Sequence, residues 1–88
     1  MKLFPLVISS PDGDLFRGDI LKITLRGSEG DLAILAGHIP FVTAVKAGKV
    51  KIELDDEDRF GMTDGGILSV SESTVTLLSG SFTWVEEE

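Results

Sequence analysis

His38 is the chain's only histidine, and it sits in the stretch Leu35-Ala36-Gly37-His38-Ile39-Pro40. An imidazole can serve as general base, metal ligand or proton shuttle, but each task needs companions: an orienting carboxylate, a nucleophile or further ligands. No motif around His38 supplies them. A single histidine cannot complete a His-Glu-x-x-His zinc site, and the absence of cysteine removes thiolate ligands, thiol nucleophiles and disulfides together. Beside Gly37 and two residues before Pro40, His38 reads as a turn residue with a structural or surface role. A pH-sensitive interface contact and catalysis are the alternatives.

The carboxylates come next. Pro11-Asp12-Gly13-Asp14 and Asp55-Asp56-Glu57-Asp58 each bring acids together. A calcium site needs some six to eight oxygen ligands in an ordered loop, and the twelve-residue EF-hand spacing is missing. The first group reads as a turn and the second as a solvated hairpin tip. Spacing does not exclude paired acids for glycoside chemistry, but so small a chain offers no substrate-sized groove. For phosphate binding, Gly48-Lys49 is followed by Val50 where a hydroxyl is needed, and Thr43 stands where the first glycine belongs. No G-x-G-x-x-G or G-x-S-x-G occurs either. The sequence is therefore read as having no catalytic, metal or cofactor site, and as no enzyme in its own right.

The elements that would position these residues are strands. Turn signals recur every few residues, at Ser9–Asp14, Gly18, Gly27–Gly30, Gly37–Pro40, Ala47–Lys49, Asp55–Asp58 and Asp64–Gly66. Between them lie short runs of period two. Lys49–Leu54 sets Val50, Ile52 and Leu54 against Lys49, Lys51 and Glu53. Ile20–Leu25 sets Leu21, Ile23 and Leu25 against Ile20, Lys22 and Thr24. Ser73–Leu78 and Ser81–Val85 alternate likewise. About ten such strands, joined by turns of about two to six residues, imply an all-β protein, a β-sandwich or flattened barrel. The one place where a helical turn fits is Gly37–Ala44.

Eighty-eight residues make one domain, residues 1–88, with no linker or repeat. A chain of this size buries roughly 60–65 % of its unfolded surface. The apolar N-terminal run is broken by Pro5 and is too short for a signal-peptide core or a membrane span, which reads as cytosolic. A net charge of −7 with no basic cluster argues against nucleic acid as a partner. Mean hydropathy is +0.21. Counting ten glycines with the 42 % apolar residues gives about 53 %, above the roughly 45–50 % of soluble domains. The surplus points to an apolar face kept for a partner.

Gly27–Ile52, "GSEGDLAILAGHIPFVTAVKAGKVKI", resembles the epsilon subunit of F-type ATP synthases, whose pattern over this region is G-x-x-G-[ED]-x-G-[IV]-L-P-G-H-x-P. "SPDGDLFRGDILKITLRGSEGD" is similar to the family's N-terminal turn and first strands, and Gly65–Gly80 to its "GG-[FI]-L-E-V" segment, so the resemblance covers nearly the whole chain. Ala36 stands where the family has proline and Ala33 where it often has glycine. The family also continues into a helical hairpin, whereas this sequence stops at Val85–Glu88, a run that reads as a solvated terminus. The resemblance implies a ten-stranded β-sandwich at the foot of a central stalk, without catalysis or cofactor. It would grip the gamma subunit on one face and meet the loops of the c-ring at one end, on the cytoplasmic side of an energy-transducing membrane. Family positions facing the c-ring fall on Ser28, Glu29, Gly30 and Asp31, with His38 near the same end. Ile39, Phe41 and Val42 fall where gamma would be met. Without the hairpin, neither inhibition of ATP hydrolysis nor ATP binding is expected. The rival reading is a free-standing β-sandwich that binds a small ligand or a protein along its sheet edge.

Overall fold

The computed structural model describes residues 2–86, so Glu87 and Glu88 of the terminus read as solvated lie outside the described residues. Ten strands follow one another: β1 Phe4–Ser10, β2 Gly13–Ile20, β3 Lys22–Gly27, β4 Gly30–Leu35, β5 Phe41–Val45, β6 Gly48–Glu53, β7 Asp58–Thr63, β8 Gly66–Val70, β9 Val75–Ser79 and β10 Phe82–Val85. The expected all-β sandwich is what forms. The helical turn expected within Gly37–Ala44 does not: a turn at Ala36–Gly37 and three irregular residues lead straight into β5. Phe41, Val42, Thr43 and Val45 are β-branched or aromatic, types that fit a pleated surface better than a helix.

Two layers are built on opposite sides of one core. β4-β3-β6-β7-β10 form one, and β5-β8-β9-β1-β2 the other. They are joined through β3, which pairs with β6 over Lys22–Thr24 and meets β5 at Gly27↔Val45. All pairings are antiparallel except β1 with β9, where Leu6 lies beside Val75 and Ile8 beside Leu77. Those four side chains are fully buried, as are Ile23 on β3, Val50 and Ile52 on β6 and Leu68 on β8. Burying each such aliphatic side chain contributes about 1.5–3 kcal/mol, and this is the principal force holding the layers together.

One alternation breaks. Strict alternation sets Ile20 with Lys22 and Thr24, but the chain turns at Leu21, so Ile20 ends β2 inside the core while Lys22 starts β3 on the outer face. At the far side the open edges of β2 and β10 are closed by aromatic contacts. Phe16 and Trp84 stack edge to face at 6.0 Å, Phe82 and Trp84 at 5.1 Å, and the Arg59 guanidinium lies 3.8 Å from the Trp84 ring centre. Between β7 and β9 the buried hydroxyls of Thr63 and Ser79 meet at 2.6 Å and satisfy each other beneath the β7–β8 loop. Gly66 opens β8 where the Leu78 carbonyl passes so close that no Cβ has room.

Candidate functional site

Gly27 pairs with Gly30, leaving Ser28 and Glu29 as a two-residue turn between β3 and β4. Both are exposed, as are Gly30 and Asp31. Asp31 lies across from Arg26, with Oδ1 and Nε 3.9 Å apart and the side chains 78 % and 62 % exposed. A pair that wet and that long holds neither partner, so Glu29 and Asp31 present two available carboxylates at one end of the sandwich.

His38 lies elsewhere. Its Nδ1 is 2.7 Å from the Leu35 carbonyl and its Nε2 is 3.1 Å from the Ser71 carbonyl on the β8–β9 turn. The ring meets Phe4 edge to face at 5.2 Å. Both nitrogens face carbonyl oxygens, so a neutral ring donates to one and an imidazolium to both. The loop enters this arrangement through Gly37, whose φ of +85° is the left-handed conformation that a side chain disfavours. With its nitrogens engaged by main-chain oxygens, the ring has no carboxylate to orient it as a base. It fastens the β4–β5 loop to the β8–β9 turn.

This corrects the expectation that His38 sits near the same end as Asp31. Along the β3–β4 hairpin Gly27↔Gly30 mark one end and Lys22↔Leu35 the other. At about 3.3 Å per residue the two ends are roughly 17 Å apart. Ser28, Glu29, Gly30 and Asp31 share the first end. His38 follows Leu35 at the second.

Of the three apolar candidates, Ile39 is 79 % and Val42 68 % exposed, while Phe41 turns inward against the core. Val42 does not stand alone. The register sets Ala44 beside Ile67 and Ile67 beside Leu78, so the outer face of β5-β8-β9 carries an apolar row next to Val42. Ile67 and Leu78 are each about half exposed. Sequence reasoning missed both. The signal was there in the doublets Ile67-Leu68 and Leu77-Leu78, since a strand with apolar residues on both faces has two faces to cover. At the rim of this row Ser9 and Arg17 both bond the Asp14 carboxylate, at 3.0 and 2.7 Å, and hold it below the usual carboxylate range, Arg17 contributing most. Among the described residues no three of His, Asp and Glu converge as a metal site requires, and no helix is long and apolar enough to cross a membrane.

Comparison with known proteins joins these surfaces to a family. Residues 3–85 match the model of the ATP synthase delta/epsilon chain beta-sandwich domain. The chain is 38 % identical over 79 residues to the ATP synthase epsilon chain of Bacillus velezensis, covering 90 % of this chain and 60 % of that one. It is 34 % identical over 87 residues to that of Caldicellulosiruptor saccharolyticus, covering 99 % and 64 %. The chain thus spans less than two thirds of the length of these relatives. The fold is also that of a chain in the cryo-EM structure of the Euglena gracilis mitochondrial ATP synthase (OSCP/F1/c-ring, rotational state 1), with a TM-score of 0.87 at 21 % identity over 93 % of this chain and 53 % of that one. A chain from the Tetrahymena thermophila mitochondrial ATP synthase central stalk and c-ring gives 0.80 at 16 % identity, over 92 % and 66 %. With its strand pattern, its Gly-His-Ile-Pro turn and nearly its whole length in register, the chain belongs to the beta-sandwich domain family of ATP synthase delta/epsilon chains.

Proposed function

We propose that this protein is a non-catalytic rotor subunit of an F-type ATP synthase, coupling the gamma subunit to the c-ring during proton-driven ATP synthesis. The observation that carries the reading is the exposed apolar row of Ala44, Ile67 and Leu78 beside Val42, on a sandwich of the epsilon-chain family. Such a row is costly to leave in water and fits a permanent partner. In this reading Val42 and Ile39 meet gamma. Phe41 supports them from beneath and makes no contact of its own. Ser28, Glu29, Gly30 and Asp31 meet the c-ring loops at the end of the sandwich, where their carboxylates attract basic residues. His38 serves by fixing the loop into β5. In this scheme the sandwich is held at the cytoplasmic face through its partners.

Torque transfer is a mechanical task. Close-packed interiors deform little and transmit strain, and a two-layer sheet stitched through β3 gives the coupling no soft hinge. Single cysteines at Asp31 and Val42, placed in the chain and assembled with gamma and the c-ring, test the orientation. Asp31→Cys is expected to cross-link to a c subunit and Val42→Cys to gamma. Failure of the chain to assemble with either partner would overturn the proposal.

A further inference from the structure

Among the described residues three strands each pair with only one neighbour: β2, β4 and β10. An open edge displays unpaired backbone donors and acceptors, and native proteins guard such edges with charges, bulges, proline or short length. β2 is guarded by a register shift opposite Ile8/Ser9 and by Asp14, Arg17 and Asp19 along its length. β10 is only four residues long. β4 has no such protection. Its six residues pair with β3 in unbroken register, with Asp31 as the one charge and neither lysine nor proline.

The register also fixes which groups are open. Gly27 and Gly30 close a two-residue turn and so form a hydrogen-bonded pair. By alternation the amides of Leu32 and Ile34 go to β3, while those of Asp31, Ala33 and Leu35 point away from it. Among the described residues, the one bond to this outward row comes from His38, at the Leu35 carbonyl. Beside the strand runs a shallow groove of about 360 Å³, lined by Leu32, Ile34, Ala36 and Phe41 among others. Leu35 and Ile39 are exposed at its end.

We propose that β4 is an acceptor edge, completed by an extended segment of a partner protein that is apolar at alternate positions and neutral or basic. The backbone row selects a strand. The groove selects apolar side chains, and Glu29 and Asp31 at the strand's start favour a basic flank. A second copy of this chain fits poorly, because it would bring a net charge of −7 against −7. The identity of the partner rests on the rotor reading.

Residue-resolved hydrogen exchange tests this on the chain alone and on the chain assembled with gamma and the c-ring. On assembly the Asp31, Ala33 and Leu35 amides should slow at least about tenfold, the worth of one good hydrogen bond, while Leu32 and Ile34 stay as they were. Ala33→Pro deletes an outward donor without touching the β3 pairing, a place where edge strands tolerate proline. It should weaken assembly by about tenfold yet hold the melting temperature within about 3 °C. Assembly with the three amides exchanging freely would overturn the strand addition and leave the rotor reading intact. Absence of assembly by the unaltered chain would overturn both. Slowing that follows the chain's own concentration, without partners, would assign the edge to self-pairing and overturn the proposal.

Discussion

The two outer faces of the sandwich solve the same problem in opposite ways. On the β3-β6-β7 face Phe60 points outward beside Lys51, yet only 8 % of it is exposed, and the Lys49 and Lys51 ammonium groups lie 5.1 and 5.9 Å from its ring centre. Around it Lys22 and Glu53, and Lys51 and Asp58, form loose, half-buried pairs at 4.0 and 3.8 Å. Around Phe60 this face carries its own cover, although Met62, two residues along β7, stays 43 % exposed beside Lys49. On the β5-β8-β9 face Val42, Ile67 and Leu78 stand open at 68, 48 and 49 %. In the proposed reading the difference separates a largely solvated face from one kept for a partner.

The sharpest contrast lies in one strand. Leu77 and Leu78 are neighbours on β9 that face opposite ways, the first fully buried and the second half exposed. Leu77→Ala should lower unfolding stability by about 2–5 kcal/mol, since the cavity adds to the lost transfer energy. Leu78→Ala should change it by no more than about 0.5 kcal/mol. Urea denaturation of both variants decides. A large loss at Leu78 would mean that the row is part of the core and not a surface for a partner.

Binding should divide the faces next. Ile67→Asp puts a charge into the apolar row and should weaken association with gamma by on the order of 2 kcal/mol, roughly 30-fold, without unfolding the chain. Lys51→Asp on the other face should shift the same affinity by less than about twofold. Calorimetric titration against gamma measures both. Equal losses would erase the distinction between the faces.

The comparison also shows what was legible beforehand. Period-two runs such as Lys49–Leu54 revealed the strands, because one buried and one wet face leave alternation in the residues. The Gly-His-Ile-Pro turn and the glycine-flanked Ser28-Glu29 turn were equally open to reading, since few residues tolerate those conformations. Pairing was not. That β1 lies parallel to β9 depends on contacts nearly seventy residues apart, and local periodicity carries no trace of them. The same gap hid the distance between Asp31 and His38, which depends on where a hairpin ends. It also hid the apolar row, because Ile67 and Leu78 become neighbours only through the β8–β9 register.

His38 comes after these in size. His38→Ala removes the two main-chain contacts and the edge contact with Phe4, and should cost about 1–2 kcal/mol of stability. Because the ring fixes the loop that leads into β5, the amides around Ile39 should also exchange faster, while those of Ser28 and Glu29 at the other end stay unchanged. Equal acceleration at both ends would argue against the separation of His38 from the Asp31 end.

The smallest effect belongs to the rim of the apolar row, where Ser9 ends the line through Ala44, Ile67 and Leu78 and bonds Asp14. The Asp14 carboxyl is held below its ordinary value, first by the hydrogen bond from Arg17 and then by that from Ser9. A carboxyl whose folded value is depressed adds stability above its unfolded value, about 3.9, and loses it as pH falls through the lower folded one. The native chain should therefore exceed Asp14→Asn in denaturation midpoint at about pH 5, and the gap should close toward about pH 2. The carboxylate reaches solvent, so the gap should also shrink in high salt. A gap that held constant across this range would mean that the bonds persist without the charge. The rim would then be a matter of shape, and the polar border of the row would owe nothing to ionisation.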